Sequence, residues 1–305
     1  MPLLGIAGRG SDPLGARKDV TLRSLIPQNL RTTLRRLPKH VKPASAFVLP
    51  DYIIIGAQKC GTTSLDLNLA KHPFIRTALM QEVHFFDYNW HKGERWYRRN
   101  FHAHAESDRS KSSRGERLWT GESSPSYIHH PCCPERVREL CPDAKLIALL
   151  RNPADRAYSH FHHERRYDWD DRSLENAFDW DREREMIERE VPKIKADPRY
   201  FSWAYRHESY LSRGMYAEQL ERWHAHFPKD QMLVLQSEAF YADMRGAMRR
   251  VFSFLGVPGH DVIDASTYNA NTYSKIERGV RDSLSAFYEP HNERLYDLLG
   301  ERFDW

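Results

Sequence analysis

The chain alternates between short apolar runs and longer segments with apolar residues at helical spacing. Three runs, 52–55, 145–150 and 232–235, have the continuous apolar character of buried parallel strands. A shorter run at 118–121 predicts a fourth strand, and residues 62–71 predict a helix directly after the first. This alternation predicts a three-layer α/β/α fold with a central parallel sheet of about four to five strands.

The first strand runs directly into a short turn that begins and ends at glycine. The turn and the residues after it read G-x-x-K-x-G-T-T from Gly56 to Thr63. Backbone N–H groups and the dipole at the start of the next helix favour an anion such as phosphate or sulfate. A Walker A loop reads G-x-x-x-x-G-K-[ST], whereas here Lys59 precedes the second glycine. We therefore expect a P-loop-like fold with Lys59 inside the loop, beside the bridging oxygen between two anionic groups.

A second anion-binding motif follows the strand at 145–150. Arg151 stands at the carboxyl end of that strand, which is the edge where open parallel sheets bind ligands. Asn152 and Pro153 then begin a helix, and Ser159 falls about two turns into it. A guanidinium fork with a hydroxyl group suits a terminal phosphate. A strand that ends in arginine argues against a kinase or NTPase, which would need a magnesium-binding aspartate there.

Together the two motifs resemble those of sulfotransferases that use 3′-phosphoadenosine 5′-phosphosulfate (PAPS). The turn is similar to the family's 5′-phosphosulfate loop, and R-x-P-x-x-R-x-x-S at 151–159 to its 3′-phosphate signature. In motif the chain is closest to the heparan sulfate N- and 3-O-sulfotransferases and to bacterial sulfotransferase-domain proteins. The resemblance implies 3′-phosphoadenosine 5′-phosphate (PAP) as product. It implies donor binding by Lys59, Cys60, Gly61, Thr62, Thr63, Ser64, Arg151 and Ser159.

The candidate catalytic segment is Q-E-V-H-F-F-D at 81–87. Glu82 and His84 are two residues apart, so on an extended segment both would face one side. A carboxylate or an imidazole in a dry pocket can take the proton of an acceptor. The segment resembles E-x-H-F-F-D of the heparan sulfate O-sulfotransferases, which implies Glu82 as catalytic base, supported by His84 and Asp87. Lys59 and the loop N–H groups would stabilise charge on the leaving phosphate.

Other stretches resemble heparan sulfate N-sulfotransferase modules, at 89–97, 152–159 and 287–292. In those enzymes a histidine four residues after the phosphate-binding serine assists catalysis, which points here to His163. His163 is one of three histidines on the same predicted helix, with His160 and His162. Such a group also occurs by chance on surface helices. The acceptor group could therefore be a hydroxyl or an amine, and the pair of Glu82 and His84 favours a hydroxyl. The resemblance implies an acceptor that is a carbohydrate, a glycosylated compound or a small-molecule metabolite.

Two departures from the family limit what the resemblance implies. Ser123 stands where the family's E-K-[ST]-P-x-Y has a lysine that contacts the phosphosulfate. No cysteine follows Cys141, whereas the animal enzymes cover the nucleotide with a disulfide-bounded, lysine-rich loop. We expect Lys275 or Arg278 to close over the cofactor instead. Two alternatives stay open: an inactive nucleotide-binding adaptor, suggested by Ser123, and a P-loop kinase that uses ATP, disfavoured by the position of the lysine.

Composition narrows the function further. The net charge is +4 with acids and bases interleaved, which does not resemble a nucleic-acid-binding protein. No apolar run approaches the ~18 residues of a transmembrane helix, and residues 2–10 contain no signal-peptide core, so we expect a cytoplasmic protein. The four cysteines suggest no disulfide framework. The cluster H-H-P-C-C at 129–133 lacks the spacing of a zinc site, and we expect no metal.

Two segments differ from the rest of the chain in charge. Residues 1–47 are rich in arginine and lysine, and their leucines and isoleucines recur at helical spacing. Such a basic arm can be a helix on the edge of the sheet, a frayed arm, or a weak contact with an anionic membrane surface. Residues 48–305 are expected to form the sulfotransferase domain, with a charged insertion at about 167–206 on the acceptor side.

Overall fold

A parallel sheet lies at the centre of the computed structural model, which describes residues 44–103, 117–261, 263–264 and 274–305. Its strands are β1 (Tyr52–Gly56), β2 (Ile75–Thr77), β3 (Trp119–Ser123), β4 (Lys145–Leu150) and β5 (Met232–Gln236). Their order is β2-β3-β1-β4-β5, with every pair parallel. The expected parallel sheet of four or five strands between helical layers is confirmed. The sequence pattern missed β2, which has only three residues.

Helices connect the strands and cover the sheet. The α-helices are α1 (Thr62–Leu69), α2 (Phe85–Tyr88), α3 (Glu94–Arg98), α4 (Cys133–Leu140), α5 (Pro153–Arg166), α6 (Leu174–Ala177), α7 (Trp180–Ala196), α8 (Trp203–His207), α9 (Tyr216–His224), α10 (Ser237–Ala242), α11 (Met244–Leu255) and α12 (Arg278–Leu299). Short 3₁₀ helices occur at Ala44–Ala46, Trp90–Lys92, Ser212–Gly214 and Lys229–Gln231. The charged insertion contains α6, α7 and α8. Most of the basic arm lies outside the described residues, which belong to one compact unit, Pro38–Trp305.

The hydrophobic core is built around the two central strands. Every residue of β1 is buried, and Leu146–Leu150 of β4 are fully buried as well. Strands that are covered on both faces need apolar side chains at successive positions, which explains the continuous runs in the sequence. Burying one isoleucine side chain contributes about 1.5–3 kcal/mol to stability. Ile53, Ile54 and Ile55 therefore anchor the strand that leads into the glycine-bounded turn.

The strand order places both anion-binding motifs at one crevice. From β1 the chain crosses to β2 on one side of the sheet, while from β4 it crosses to β5 on the other. The crevice between the carboxyl ends of β1 and β4 is therefore the topological switch point, where open α/β sheets bind ligands. The turn after β1 and Arg151 after β4 meet there, since Arg151 Nη1 lies 3.4 Å from the carbonyl oxygen of Lys59 and donates to it. Among the described residues no helix is both long and apolar enough to cross a membrane.

Packing between β1 and β3 predicts a stability difference between two glycine substitutions. A Cβ atom at Gly121 would overlap the ring of Tyr52 on the neighbouring strand. We expect Gly121→Ala to lower the free energy of unfolding by about 1–3 kcal/mol, as overpacking a core does. The matched control is Gly279→Ala in α12, where a Cβ atom would meet nothing within 4 Å. That change should leave stability unchanged or raise it by about 0.4–1 kcal/mol. Denaturant titration measures both, and equal shifts would contradict the packing argument.

Candidate active site

The turn after β1 is shaped as a cradle for an anion. Gly61 adopts the left-handed conformation, with φ of 95°, and a Cβ atom there would lie 2.7 Å from Tyr241 Oη. Gly61, the N-cap of α1, has no side chain to cap the helix, so the first N–H groups of α1 are suited to a bound anion. The carbonyl oxygen of Cys60 accepts a hydrogen bond of 2.8 Å from Ser237 Oγ. This contact ties the turn to α10 and fixes its path.

The side chains of the turn divide into those that pack inward and those that border the cradle. Cys60 is fully buried, with its sulfur 3.7 Å from Tyr216 Oη, so only its backbone can face an anion. Ser64 is also buried, and its hydroxyl lies 3.0 Å from Tyr241 Oη. Thr62 is buried and Thr63 half-buried at the first turn of α1. The loop residues predicted to bind the donor thus lie together at the cradle. Because most of their side chains are buried, they present mainly their backbone N–H groups to it.

Two cations, Lys59 and Arg151, lie at the cradle. Lys59 is half-buried, and burial together with the charge of Arg151 lowers the pKa of its ammonium group to about 8. Within the described part of the chain neither Lys59 nor Arg151 forms an ion pair. Tyr216 Oη donates to the carbonyl oxygen of Arg151 at 2.9 Å, and Ser159 lies buried in α5, which begins two residues after Arg151. Two cations that lack an ion pair among the described residues, beside a helix N-terminus, are suited to a polyanion.

The segment at 82–87, here called the catalytic loop, joins its polar groups in a chain of hydrogen bonds. Glu82 Oε2 lies 3.1 Å from His84 Nε2, and His84 Nδ1 lies 2.8 Å from Asp87 Oδ2. Ser126 Oγ donates to the same oxygen of Asp87 at 2.5 Å. Burial alone would lower the pKa of His84, but the charge and hydrogen bond of Asp87, with those of Glu82, raise it to about 10. His84 is therefore protonated at neutral pH and donates to both carboxylates, while the Glu82 side chain is 41% exposed and open to an acceptor.

The catalytic loop differs from the extended segment that the sequence suggested. Glu82 and His84 have positive φ values of 51° and 50°, and α2 begins immediately after His84. With Lys59 (φ 70°) they are three of the four non-glycine residues with positive φ among the described residues. Such conformations are unfavourable for residues with a Cβ atom and concentrate at functional sites. The side chains of Glu82 and His84 meet because the backbone folds back at these two residues.

A buried carboxylate that the sequence analysis did not single out supports the catalytic loop. Glu122, at the end of β3, accepts hydrogen bonds from the hydroxyl groups of Tyr97, Ser124 and Tyr127, at 2.6, 2.7 and 3.1 Å. In turn, Ser124 Oγ accepts from the backbone N–H of His84 at 3.1 Å, and Tyr127 Oη from that of Phe85 at 2.8 Å. Three of these residues belong to the E-x-x-P-x-Y stretch at 122–127, which was the available signal. The network sets the position of His84 and hence of Glu82.

Comparison with known proteins identifies the family. Residues 49–277 match the family model described as "Sulfotransferase domain". The chain belongs to the sulfotransferase family. Heparan sulfate glucosamine 3-O-sulfotransferase 3B1 of Mus musculus is 30% identical over 300 residues, covering 88% of this chain and 70% of that protein. Bifunctional heparan sulfate N-deacetylase/N-sulfotransferase 3 of Homo sapiens is 30% identical over 281 residues, covering 82% of this chain and 30% of that protein.

A solved structure agrees with this assignment. The crystal structure of a sulfotransferase from Alicyclobacillus acidocaldarius superimposes with a TM-score of 0.61 at 29% sequence identity. The match covers 84% of this chain and 98% of that one. The resemblance to the sulfotransferases inferred from the motifs is therefore confirmed, and so is the fold.

Three further predicted site residues of this sulfotransferase lie in different surroundings. His163, half-buried on α5, is influenced by the charges of Lys59 and Glu82, and burial with the Lys59 charge lowers its pKa to about 4. It is therefore neutral at neutral pH. Lys275 is exposed, and the side chain of Arg278, 95% exposed, lies 3.8 Å from Asp282. The expected closure of Lys275 or Arg278 over the nucleotide stays a prediction.

The cluster at 129–133 of the sulfotransferase is packed into the protein. His129 Nε2 lies 3.0 Å from Ser212 Oγ, and burial lowers the pKa of His129 well below its usual value. Cys133 is fully buried at the start of α4. Throughout the part of the chain that the structure describes, no group of three or more His, Cys, Asp or Glu side chains could hold a metal ion.

The ion pair of His84 and Asp87 gives a prediction for NMR. His84 should titrate near pH 10, and in Asp87→Asn its pKa should fall, because the charge and hydrogen bond of Asp87 are the largest effects that raise it. NMR titration of protein labelled with carbon-13 histidine measures the pKa of His84 in the wild type and in the variant. The control is Asp181→Asn on α7. The side chain of Asp181 is 82% exposed, and its replacement should leave the titration of His84 unchanged. A wild-type value near 6.5 would contradict the ion pair.

The same pair fixes the sign of the pH dependence of stability. The pKa of His84 is raised from 6.5, so its stabilisation is complete below pH 6.5 and is lost as pH rises toward 10. Burial alone would raise the pKa of Asp87, but the charge of His84 and other contacts lower it from 3.8 to about 2. The stabilisation that Asp87 contributes is therefore lost as pH falls from 3.8 toward 2. The difference in unfolding free energy between the wild type and Asp87→Asn should therefore be largest between about pH 4 and 6.5.

Proposed function

We propose that this sulfotransferase transfers the sulfuryl group of PAPS to a hydroxyl group of a carbohydrate acceptor. The observation that carries the proposal is the pair of cations at the switch point of the sheet, Lys59 and Arg151, neither of which forms an ion pair with a described residue. Two separate anionic groups on one ligand would satisfy both cations. Glu82, whose charge acts on Lys59, supplies the nearby carboxylate that such a transfer requires. The carbohydrate is proposed from the relatives, which are named as heparan sulfate sulfotransferases.

The residues present fit such a donor. The N–H groups of Gly61, Thr62 and Thr63, with Lys59, would hold the 5′-phosphosulfate, and Arg151 with Ser159 would hold the 3′-phosphate. PAPS would supply an activated sulfuryl group and a phosphate as leaving group. Because burial and Arg151 lower the pKa of Lys59 to about 8, a bound anion would favour its charged form and bind more tightly below that pH. Lys59 and the loop N–H groups would then stabilise the negative charge that develops on the departing phosphate.

Glu82 is the proposed general base. Its carboxylate would accept the proton of the acceptor hydroxyl as that oxygen forms its bond to sulfur. His84 is protonated at neutral pH and cannot accept this proton, so its role is to position Glu82 through the 3.1 Å hydrogen bond. Asp87 in turn holds the other nitrogen of His84. This order of contacts separates the roles of two residues that the sequence analysis had paired.

The proposed phosphate site predicts selectivity for PAP over AMP. A charge-assisted contact is worth about 1.5–3 kcal/mol, so PAP should bind at least about tenfold more tightly. Arg151→Met should remove most of that difference. Arg184→Met, at an exposed position of α7, is the control and should leave it unchanged, because Arg184 forms ion pairs with Asp181 and Glu188 of the same helix. Isothermal titration calorimetry gives the affinities. Equal binding of PAP and AMP, or a preference for ATP with magnesium, would favour a kinase instead.

The proposed base predicts a separation of binding from turnover. Glu82→Gln keeps the shape of the side chain but cannot take a proton. Turnover with an acceptor that the wild type sulfates should therefore fall about 10²–10⁴-fold. PAP affinity, measured by calorimetry, should change little. His163→Ala is the companion variant: it should be nearly silent for a hydroxyl acceptor and lower turnover at least about tenfold for an amine. Near-full activity of Glu82→Gln would show that the base lies elsewhere, and absence of turnover in the wild type with intact PAP binding would support the adaptor.

A further inference from the structure

Side chains from outside the two anion-binding motifs connect one motif to the other. The first belongs to Tyr216, which begins α9 and is 1% exposed. Its hydroxyl group donates to the carbonyl oxygen of Arg151 at 2.9 Å and lies 3.7 Å from the sulfur of Cys60. Burial raises the pKa of Tyr216 well above its usual value, so the hydroxyl group keeps its proton and remains a donor. A single oxygen atom therefore contacts both the turn after β1 and the residue after β4.

A second connection comes from the first two residues of α10. Ser237 is buried, and its Oγ atom donates to the carbonyl oxygen of Cys60 at 2.8 Å. Glu238 Oε1 accepts a hydrogen bond of 2.9 Å from the backbone N–H of Asn152, the N-cap residue of α5. Because Ser237 and Glu238 are consecutive, only one peptide unit separates the two contacts. Together with Tyr216, these two residues are here called the brace.

The brace is itself held to the sheet. Gln236, directly before α10, pairs with Leu150 at the end of β4. The second carboxylate oxygen of Glu238 accepts a hydrogen bond of 3.2 Å from Trp305 Nε1, and the ring of Trp305 lies 5.9 Å from that of Tyr216. Although Glu238 is exposed, both of its oxygens therefore have partners that limit its movement. The brace thus fixes the backbone of both motifs relative to the sheet.

The charge of Glu238 disfavours a direct role in anion binding. A negative group beside a phosphate site repels the ligand. The contact that Glu238 makes is with a backbone N–H of the second motif, and the contact of Tyr216 is with a backbone carbonyl oxygen. Both residues are therefore placed to fix the position of that motif and not to bind the anion itself.

A ligand with two anionic groups is sensitive to the separation of the two sites that hold them. Once the first group is bound, the second binds in effect intramolecularly, and this gain is lost when the geometry prevents simultaneous contact. PAP and adenosine 2′,5′-bisphosphate carry the same groups and differ only in the position of one phosphate. A fixed separation of the two sites therefore distinguishes these nucleotides, whereas their charge does not.

We propose that the brace sets the separation of the two anion sites, and that this separation selects a 3′,5′-bisphosphate nucleotide over its 2′,5′ isomer. Tyr216 and Glu238 are positioning residues, since each acts through the backbone at or beside Arg151. The inference rests on the proposed function, and it assigns residues that determine the geometry of the donor.

Calorimetry on the full chain with PAP, adenosine 2′,5′-bisphosphate and AMP tests the inference. PAP should bind the wild type at least about tenfold more tightly than the 2′,5′ isomer. Tyr216→Phe removes one hydroxyl group, and Glu238→Ala removes the acceptor for the N–H of Asn152. Each change should weaken PAP binding at least about fivefold and lower the preference over the isomer, because the two sites are no longer held at one separation. Binding of AMP, which needs only the cradle, should change less than about twofold.

Two further variants separate position from charge and from a general loss of stability. Glu238→Gln keeps an oxygen that can accept from Asn152 but has no charge, so PAP should bind at least as tightly as in the wild type. An effect of charge alone would instead make Glu238→Ala bind all three nucleotides more tightly. Tyr200→Phe removes a hydroxyl group that donates to Glu190 in the charged insertion, and it should leave all three affinities unchanged.

Three outcomes would overturn the brace while the donor site stays intact. These are equal binding of PAP and its isomer by the wild type, equal loss of PAP and AMP binding in the variants, or an unchanged preference in both variants. Should the buried change Tyr216→Phe prevent folding, the exposed change Glu238→Ala decides alone. Failure of the wild type to bind PAP would instead overturn the proposed function.

Discussion

The buried carboxylate of Glu122 determines how the rest of the active site is arranged. Burial raises the pKa of this group to about 7, against the opposing effect of hydrogen bonds from Tyr97, Ser124 and Tyr127. Its strand pairs with β1, with Ile53 opposite Glu122. The catalytic loop is therefore fixed, through two of those hydroxyl groups, to the same sheet that carries the anion cradle. A buried polar network that loses one of its partners is costly. Loss of one hydroxyl group would therefore disturb the position of Glu82 as well as local stability.

The parts of the structure that the sequence predicts are those encoded over short distances. Strands β1 and β4 are recognisable because burial on both faces requires continuous apolar runs, and the motifs follow within a few residues of each strand. The conformation of the catalytic loop is different. Glu82 and His84 are left-handed because Ser124 and Tyr127, about forty residues later, hold the loop backbone. No pattern within 81–87 records those partners, which is why an extended segment was the natural expectation.

The charged insertion shows a second limit of sequence patterns. Its many charged residues are typical of exposed segments, but they do not indicate which aromatic side chains at its ends face solvent. Tyr205 and Trp203 are two residues apart in α8, yet Tyr205 is 3% exposed and Trp203 is 48% exposed. Tyr205 donates to the carbonyl oxygen of His129, a contact between distant parts of the chain. Which aromatic faces solvent is therefore decided by tertiary packing and not by local periodicity.

The strand order also has a consequence for synthesis on the ribosome. Tyr52 of β1 pairs with Gly121 and with Lys145, which are 69 and 93 residues later in the chain. At 5–20 residues per second, the second partner emerges roughly 5–20 seconds after β1 itself. Until then, the run of isoleucines has high β-propensity and no charge, the character of segments that aggregate. The strand that leads into the anion cradle is therefore left exposed to intermolecular pairing while its neighbours are still being made.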